Sequence, residues 1–304
     1  MIVKRTTLPS VLIMLAAFVF FSANTVYFLE AEDGPGLSPL QRNYQFDFST
    51  VREGPRLNTK AAILVDYENG RVLYAKEADE VRPIASISKL VTAMVVLDKG
   101  IDMSRTETIT QEDAKESSRS RLRVGYELTI RDLLHAALMN SDNRAARALA
   151  RVTSGSYGDF AKAMNKKARK LGLRNTYFVE PTGLSEQNVS TAHEVAKILH
   201  YAYDYPLIRE ISSKESYRVR VLNRKHASVS MSNTNGLMHS QFRVLSGKTG
   251  YIRESDYCLT TMVRDRTGRR LTAVVLGVPG DKLRFRECRR LIEWGYKSCA
   301  DLAT

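Results

Sequence analysis

Polar and apolar positions divide the chain into stretches of different period. An unbroken apolar run, residues 11–21, sits inside a wider 22-residue stretch, 8–29, with Lys4 and Arg5 before it and Glu30, Glu32 and Asp33 after it. Basic residues ahead of an apolar core and acidic residues behind it mark an export segment whose N-terminus stays inside. The 11-residue core suits a signal peptide, and the wider stretch is long enough to span a bilayer as an anchor. The best cleavage candidate, Ser22-Ala23-Asn24-Thr25, lacks a clean small-x-small pattern. A buried core helix would strand both charged flanks. Residues 31–58, punctuated by Gly34, Pro35, Gly36, Pro39 and Pro55, read as a linker, which leaves 59–304 as the folded domain.

Within that domain, β-rich runs at 61–67 and 71–76 flank Glu68-Asn69-Gly70. An Asn-Gly between two such runs predicts a hairpin whose turn residues both take positive φ. After Pro83, the nearly all-apolar segment 84–97, broken by Ser86, Ser88, Lys89 and Thr92, predicts a helix buried on most sides and ending at Gly100. Helical spacing then recurs in Leu133, Leu134, Ala137 and Leu138, in the Ala-rich 145–150, and in Phe160, Met164, Ala168 and Leu171 before Gly172. Thr191-Ala192-His193-Glu194 reads as a capping box ahead of Val195, Ile198, Leu199 and Ala202. Past residue 240 strand patterns return, 257–263 and 271–278 around Thr267-Gly268, and 283–294 predicts a closing helix. Strands at both ends with helices between them make an α+β fold. The chain carries no internal repeat and no low-complexity tract.

Composition adds a constraint on partners. Hydrophobic residues at 43% and charged residues at 26% exclude bulk disorder. A domain of about 250 residues buries roughly three-quarters of its unfolded surface and needs no metal or disulfide staple. With 46 Lys and Arg against 33 Asp and Glu, the formal charge is +13, which favours an anionic partner: nucleic acid, a lipid surface or a carboxylate-rich polymer. Export argues against nucleic acid. Cys258, Cys288 and Cys299 are an odd set without metal spacing, and on one helix Cys288 and Cys299 would lie roughly 16 Å apart, too far to bridge unless the helix breaks near Gly295. His193 and His200 are seven apart, not the four that a zinc-binding helix needs, so neither metal nor cofactor is expected.

The candidate chemistry centres on Ser86-Ile87-Ser88-Lys89. A lysine inside an apolar helix is costly unless paired or neutral, and burial lowers its pKa until the amine becomes a usable base. Residues i and i+3 share a helix face, so the amine of Lys89 can lie beside the Ser86 hydroxyl. A serine activated by a lysine is a known form of nucleophilic catalysis. Alone the pattern is weak. Ser141-Asp142-Asn143 lies between helical segments, where a second hydroxyl and an amide can enter a cleft, and Lys248-Thr249-Gly250, with Gly247 before it, opens the C-terminal strand region. Glycine on both sides of that lysine lets another backbone approach closely, as a peptide pairing with a strand edge requires. In this order, 55 and 107 residues apart, the three motifs together are specific.

On these motifs the chain resembles the low-molecular-mass penicillin-binding proteins, the D-Ala-D-Ala peptidases, over residues 59–297. It looks most like their D-alanyl-D-alanine endopeptidases. Val81-Arg82-Pro83-Ile84-Ala85 leading into Ser86, Glu180-Pro181-Thr182-Gly183-Leu184-Ser185 and Asn188-Val189-Ser190-Thr191-Ala192 carry the likeness. The resemblance implies a β-lactamase/transpeptidase-like fold: an antiparallel sheet flanked by N- and C-terminal helices, with an inserted all-helical subdomain. It implies Ser86 as the acylated nucleophile, Lys89 as its base, Ser141 as proton relay and Asn143 as holder of the substrate amide. Lys248 and Thr249 would receive the substrate carboxylate, with Gly250 beside them, and the N–H groups of Ser86 and Tyr251 would form the oxyanion hole.

The implied partners are peptidoglycan stem peptides and cross-links, with β-lactams as covalent inhibitors, in the periplasm. The chain ends at Thr304, soon after its last predicted helix, without the C-terminal domain and anchor helix of many carboxypeptidases of the family. That favours the compact endopeptidase type and puts any membrane attachment at the N-terminus. Three alternatives stay open: a carboxypeptidase trimming pentapeptides, a β-lactamase using Glu186 to drive water, and a catalytically silent wall sensor. The basic clusters Arg119-Ser120-Arg121-Leu122-Arg123 and Lys166-Lys167-Ala168-Arg169-Lys170 read chiefly as solvated faces, and secondarily as a hold on the anionic cell wall.

Overall fold

The apolar runs near the two ends of the domain pair with each other. The computed structural model describes residues 42–117 and 120–300, which belong to the compact unit Leu37–Thr304. The export segment, its cleavage candidate, the first part of the linker and Arg119 lie outside the described residues. In chain order the elements begin with β1 (Ala61–Asp66), β2 (Val72–Lys76), β3 (Arg82–Pro83), a 3-10 turn (Ala85–Ser88), α1 (Lys89–Asp98), β4 (Thr106–Thr108), α2 (Gln111–Ala114) and β5 (Glu127–Thr129). Next come α3 (Ile130–Met139), α4 (Asn143–Ser154), α5 (Tyr157–Lys170), β6 (Val189–Ser190), α6 (Ala192–Tyr203) and α7 (Pro206–Ser212). The chain closes with β7 (Ser216–Arg220), β8 (Ser228–Ser232), β9 (Arg243–Ile252), β10 (Asp256–Arg264), β11 (Arg270–Val278) and α8 (Asp281–Ala300).

Five strands form an antiparallel sheet in the order β2-β1-β11-β10-β9. All of β1 and most of β10 and β11 are buried, which is why they read as continuous apolar runs rather than alternating ones. One face, with Leu64, Leu259 and Val275, packs on Cys288, Leu291 and Ile292 of α8. The other, with Ile63, Val274 and Met262, joins the core of the helical insertion through Ile198 and Leu199 of α6. The expected α+β architecture is present. The insertion is not wholly helical, because β4–β5 and β7–β8 each form a small two-stranded sheet at its edges.

Local differences from the expected elements have physical reasons. In the first hairpin Gly70 takes positive φ and Asn69 does not. The loop is longer than two residues, closed by Gly70 N–H to Asp66 O at 3.0 Å, and the Asn69 carboxamide accepts from the Arg71 N–H. Thr191 caps α6, but the Glu194 carboxylate does not return to the cap; it accepts from the N–H groups of Arg174 and Asn175 and from the Thr176 hydroxyl. Residues 42–58, inside the stretch read as a linker, pack onto the domain: Asp47 bonds to Gly70 and Val72, and Tyr44 and Phe46 set their rings edge-on to buried His200. That apolar surrounding pushes the His200 pKa down to about 3 and keeps the ring neutral. Helix α8 runs unbroken through Gly295, so Cys288 and Cys299 stay apart; all three cysteines are free and buried.

Candidate active site

The predicted buried helix begins differently from the sequence reading, and the difference builds the site. Residues Ala85–Ser88 form a 3-10 turn, and Lys89 is the first residue of α1. In a 3-10 turn, positions i and i+3 eclipse, so the Ser86 and Lys89 side chains stand over one another. Lys89 is completely buried and its Nζ lies 2.9 Å from Ser86 Oγ, 2.7 Å from Asn143 Oδ1 and 2.6 Å from the Thr182 carbonyl. No carboxylate pairs with it among the described residues. Burial outweighs the more distant Glu180 and Asp142 and lowers its pKa to about 8. In the neutral amine, two N–H groups donate to Asn143 and Thr182 and the lone pair is left for the Ser86 hydroxyl.

A second hydroxyl–amine pair faces the first. Ser141 follows α3 with φ at +58°, and Lys248 on β9 donates to its Oγ at 2.9 Å. Lys248 is buried, and desolvation, followed by the charges of Lys89 and Arg284, holds its pKa well below the ordinary lysine range. Two buried ammoniums in one cleft oppose each other, so the site favours at least one free amine. Thr249 shares a 2.6 Å hydrogen bond with Thr234. Asn143 opens α4 and spends its carbonyl oxygen on Lys89, leaving its Nδ2 to donate. Ala85 and Ser141 both hold positive φ, at +47° and +58°. Such non-glycine strain costs of order 1–3 kcal/mol per residue and clusters at functional sites.

The glycines serve a different purpose from the one expected. A Cβ on Gly250 would lie 2.8 Å from the Ile84 carbonyl and 3.2 Å from the Ser86 nitrogen. It is thus the backbone leading into Ser86 that comes close to β9 there. Gly247 is pressed against the Thr260 carbonyl and Asn235 of its neighbours. The side chain of Tyr251 is half exposed and stacked at 4.2 Å on Tyr257, its partner on β10. β9 is the edge strand of the sheet, the kind of strand with which an extended peptide can pair.

Sequence reasoning assigned no role to the loop that holds Lys89 in place. The Glu180 carboxylate accepts from the N–H groups of Thr182 and Gly183, the Thr182 hydroxyl and Asn188 Nδ2. Asn188 also donates to Ser88 Oγ, and Thr92 Oγ1 donates to the Pro181 carbonyl. These bonds clamp residues 179–188 onto the Ala85–Ser88 turn and α1 and aim the Thr182 carbonyl at Lys89. A carboxylate and Gly183 bracketing a Pro-Thr pair was the available sign of a fixed turn. Arg284 of α8 was missed too: it donates to the Gly250 carbonyl at 3.1 Å and adds positive potential behind Lys248. Nothing distinguishes it in sequence from the other arginines of α8. Glu186 is exposed and makes none of the site's hydrogen bonds, which removes the carboxylate that a β-lactamase reading relied on.

The arrangement can transfer an acyl group: a serine with a depressed-pKa amine at hydrogen-bond distance, and a second serine–lysine pair across the cleft. Comparison with known proteins agrees. Residues 49–280 match the family model described as D-alanyl-D-alanine carboxypeptidase. A D-alanyl-D-alanine endopeptidase of Escherichia coli is 38% identical over 251 residues, covering 81% of this chain and 80% of that protein. One of Pseudomonas aeruginosa is 38% identical over 244 residues, covering 78% of this chain and 77% of the relative. A D-alanyl-D-alanine carboxypeptidase of Bacillus subtilis is 34% identical, across 78% of this chain and 62% of its own length. Among solved structures, the Streptomyces K15 DD-transpeptidase superposes with a TM-score of 0.76 at 27% identity, covering 81% of this chain and 100% of its own. Penicillin-binding protein D2 of Listeria monocytogenes, in a cefotaxime-bound form, gives 0.71 at 28% identity, with 81% and 100% covered.

Proposed function

Because the chain belongs to the D-alanyl-D-alanine carboxypeptidase family of peptidases, we propose that it is a serine D,D-peptidase that opens D-alanyl–diaminopimelate cross-links of peptidoglycan through an acyl-enzyme on Ser86. The observation that carries the reading is the buried Lys89 amine 2.9 Å from Ser86 Oγ with its pKa near 8. The two endopeptidase relatives, matched over most of their length, favour cross-link opening over trimming. The reading includes export to the periplasm through the N-terminal segment; among the described residues no helix is long and apolar enough to cross a membrane.

In the proposed sequence, the substrate carboxylate binds Lys248 and Thr249. That anion holds Lys248 charged, and a charged Lys248 in turn favours the neutral form of Lys89. Lys89 then takes the Ser86 proton as Oγ attacks the D-Ala carbonyl, and the N–H groups of Ser86 and Tyr251 receive the developing oxyanion. Ser141 passes its proton to the departing amine nitrogen as the C–N bond breaks and takes a replacement from the Lys248 ammonium that donates to it. Water next attacks the ester, giving up a proton that returns through Ser141 to the Lys248 amine, and Ser86 regains its proton from Lys89 as the D-Ala carboxyl group leaves. A β-lactam opens its ring amide onto Ser86 by the same first step, but its leaving nitrogen stays tethered. The structural neighbour from Listeria monocytogenes, solved in a cefotaxime-bound form, supports this reading.

The pH dependence tests the base. Only the neutral amine accepts the serine proton, and Lys89 is mostly protonated below about pH 8. The second-order rate of Ser86 acylation by a fluorescent penicillin therefore rises about tenfold per pH unit below that value and levels off above it. Intact mass places the adduct on the chain, and peptide mapping assigns it to Ser86. A flat profile from roughly pH 6 to 9 would show that a group other than Lys89 takes the proton.

A further inference from the structure

The β7–β8 hairpin carries an unusual solvent face. Its register pairs Ser216 with Ser232, Arg218 with Ser230 and Arg220 with Ser228. Alternation puts these six on one side, and all six are exposed, while Val219 and Met231 turn into the core. The outer face thus holds only serines and arginines. Two residues apart on one strand, Arg218 and Arg220 sit about 7 Å from each other.

Neighbouring segments extend this charge. The Arg121 guanidinium donates to the Ser230 carbonyl at 2.8 Å, a contact that leaves its charge uncompensated. The hairpin tip is fastened beside Arg123 by Leu222 N–H to Glu127 O at 2.9 Å and Asn223 Nδ2 to Gly125 O at 2.8 Å. Exposed Arg224 and Lys225 complete the tip. Among the described residues none of these six cations has an ion pair, whereas Arg131, Arg147, Arg151 and Arg270 all do. Nearby acids include Glu127, partly buried under the tip, Glu215 at the base of β7, and Asp132 and Asp142, which are buried and accept from Tyr217 and Ser120. A shallow pocket of about 360 Å³ is lined by Arg218, Arg220, His226, Ala227 and Ser228.

The face also leads to the catalytic cleft. β8 ends at Ser232, and Thr234, two residues on, bonds Thr249 of the Lys-Thr-Gly strand. A chain seated at Lys248 can therefore continue over the hairpin. We propose that the Arg218–Arg220 face, with Arg121 and Arg123, is a second binding surface for the carboxylates of the peptidoglycan meshwork, holding the polymer beside the scissile bond. The identity of the polymer rests on the function proposed above; the charge of the surface does not. Guanidinium forks flanked by short hydroxyls match carboxylates. A lipid surface is a poorer fit, because the hairpin face has no apolar side chain and the exposed large hydrophobics beside it are two, Leu222 at the tip and Val124 next to Arg123.

The test uses the full chain carrying Ser86→Ala, with and without Arg218→Ser and Arg220→Ser, pelleted with isolated peptidoglycan sacculi. Serine already occupies the facing positions, so the hairpin is expected to persist, and the thermal midpoint checks it. The surface is supported if the double replacement weakens pelleting about fivefold or more and removes most of its salt dependence. Amidating the sacculus carboxylates should weaken the arginine-bearing chain to the same level. With Ser86 intact, the double variant should acylate with penicillin at the unsubstituted rate. Equal pelleting of both chains, undiminished binding to amidated sacculi, or arginine-dependent binding to phosphatidylglycerol vesicles instead, would each overturn the proposal. Arginine-dependent pelleting by a chain whose Ser86 takes no penicillin would leave the surface standing and sink the enzyme reading.

Discussion

Lys89→Ala lowers the rate of Ser86 acylation by penicillin about 10²–10⁴-fold, the range expected for removing a positioned general base. The amine sits 2.9 Å from Ser86 Oγ and among the described residues pairs with no carboxylate, so its role is not that of an ion pair. The fold should survive. Removing a buried amine relieves a desolvation cost, partly offset by the Thr182 carbonyl and Asn143 Oδ1 losing a donor. Circular dichroism and the thermal midpoint check this while a fluorescent penicillin reads the rate. Because Lys248 lies at the same 2.9 Å from Ser141, the replacement also decides between the two amines. Near-normal acylation by the variant would move the base to the Ser141–Lys248 pair.

Gly183→Ala damages the site from outside it. Gly183 has φ at +81°, and a Cβ there would stand 2.0 Å from the Ala85 carbonyl oxygen and 2.7 Å from the Ser86 nitrogen. Left-handed backbone costs a non-glycine residue roughly 1–2 kcal/mol, and overpacking adds roughly 1–3 kcal/mol. The colliding atoms are backbone, so no rotamer change relieves them. Either the loop loses its grip on the turn or Ala85–Ser86 shifts, and both pull Thr182 from Lys89. The expected result is a loss of about 2–5 kcal/mol in stability by denaturant titration, together with at least about a hundredfold slower acylation. Unchanged acylation would mean that the 179–188 clamp does not set the nucleophile's geometry.

The sheet and helices were largely legible because their periods were. β1, β10 and β11 appeared as apolar runs, and α5 stopped where Gly172 takes positive φ. The sequence placed Ser86, Lys89, Ser141, Asn143, Lys248 and Thr249 as one group, and the hydrogen bonds from Lys89 and Lys248 bring them into two facing sets. What stayed hidden depends on long-range backbone approach. That Gly250 admits the Ile84 carbonyl, that the Thr182 carbonyl reaches Lys89, and that Arg284 donates to Gly250 all join residues far apart in the chain. No local period encodes such contacts. The Thr191 box was half right because a competing set of donors at 174–176 captured the Glu194 carboxylate.

The most direct test of the account presents the purified protein, and a Ser86→Ala control, with a mixture of cross-linked muropeptide dimer and free pentapeptide monomer. Products are identified by mass over time. The expected result is dimer cut to monomers by the unsubstituted protein and left intact by the control. Release of only the terminal D-Ala from the pentapeptide would make the protein a carboxypeptidase, and cleavage of the dimer by the Ser86→Ala chain would contradict an acyl-enzyme on Ser86.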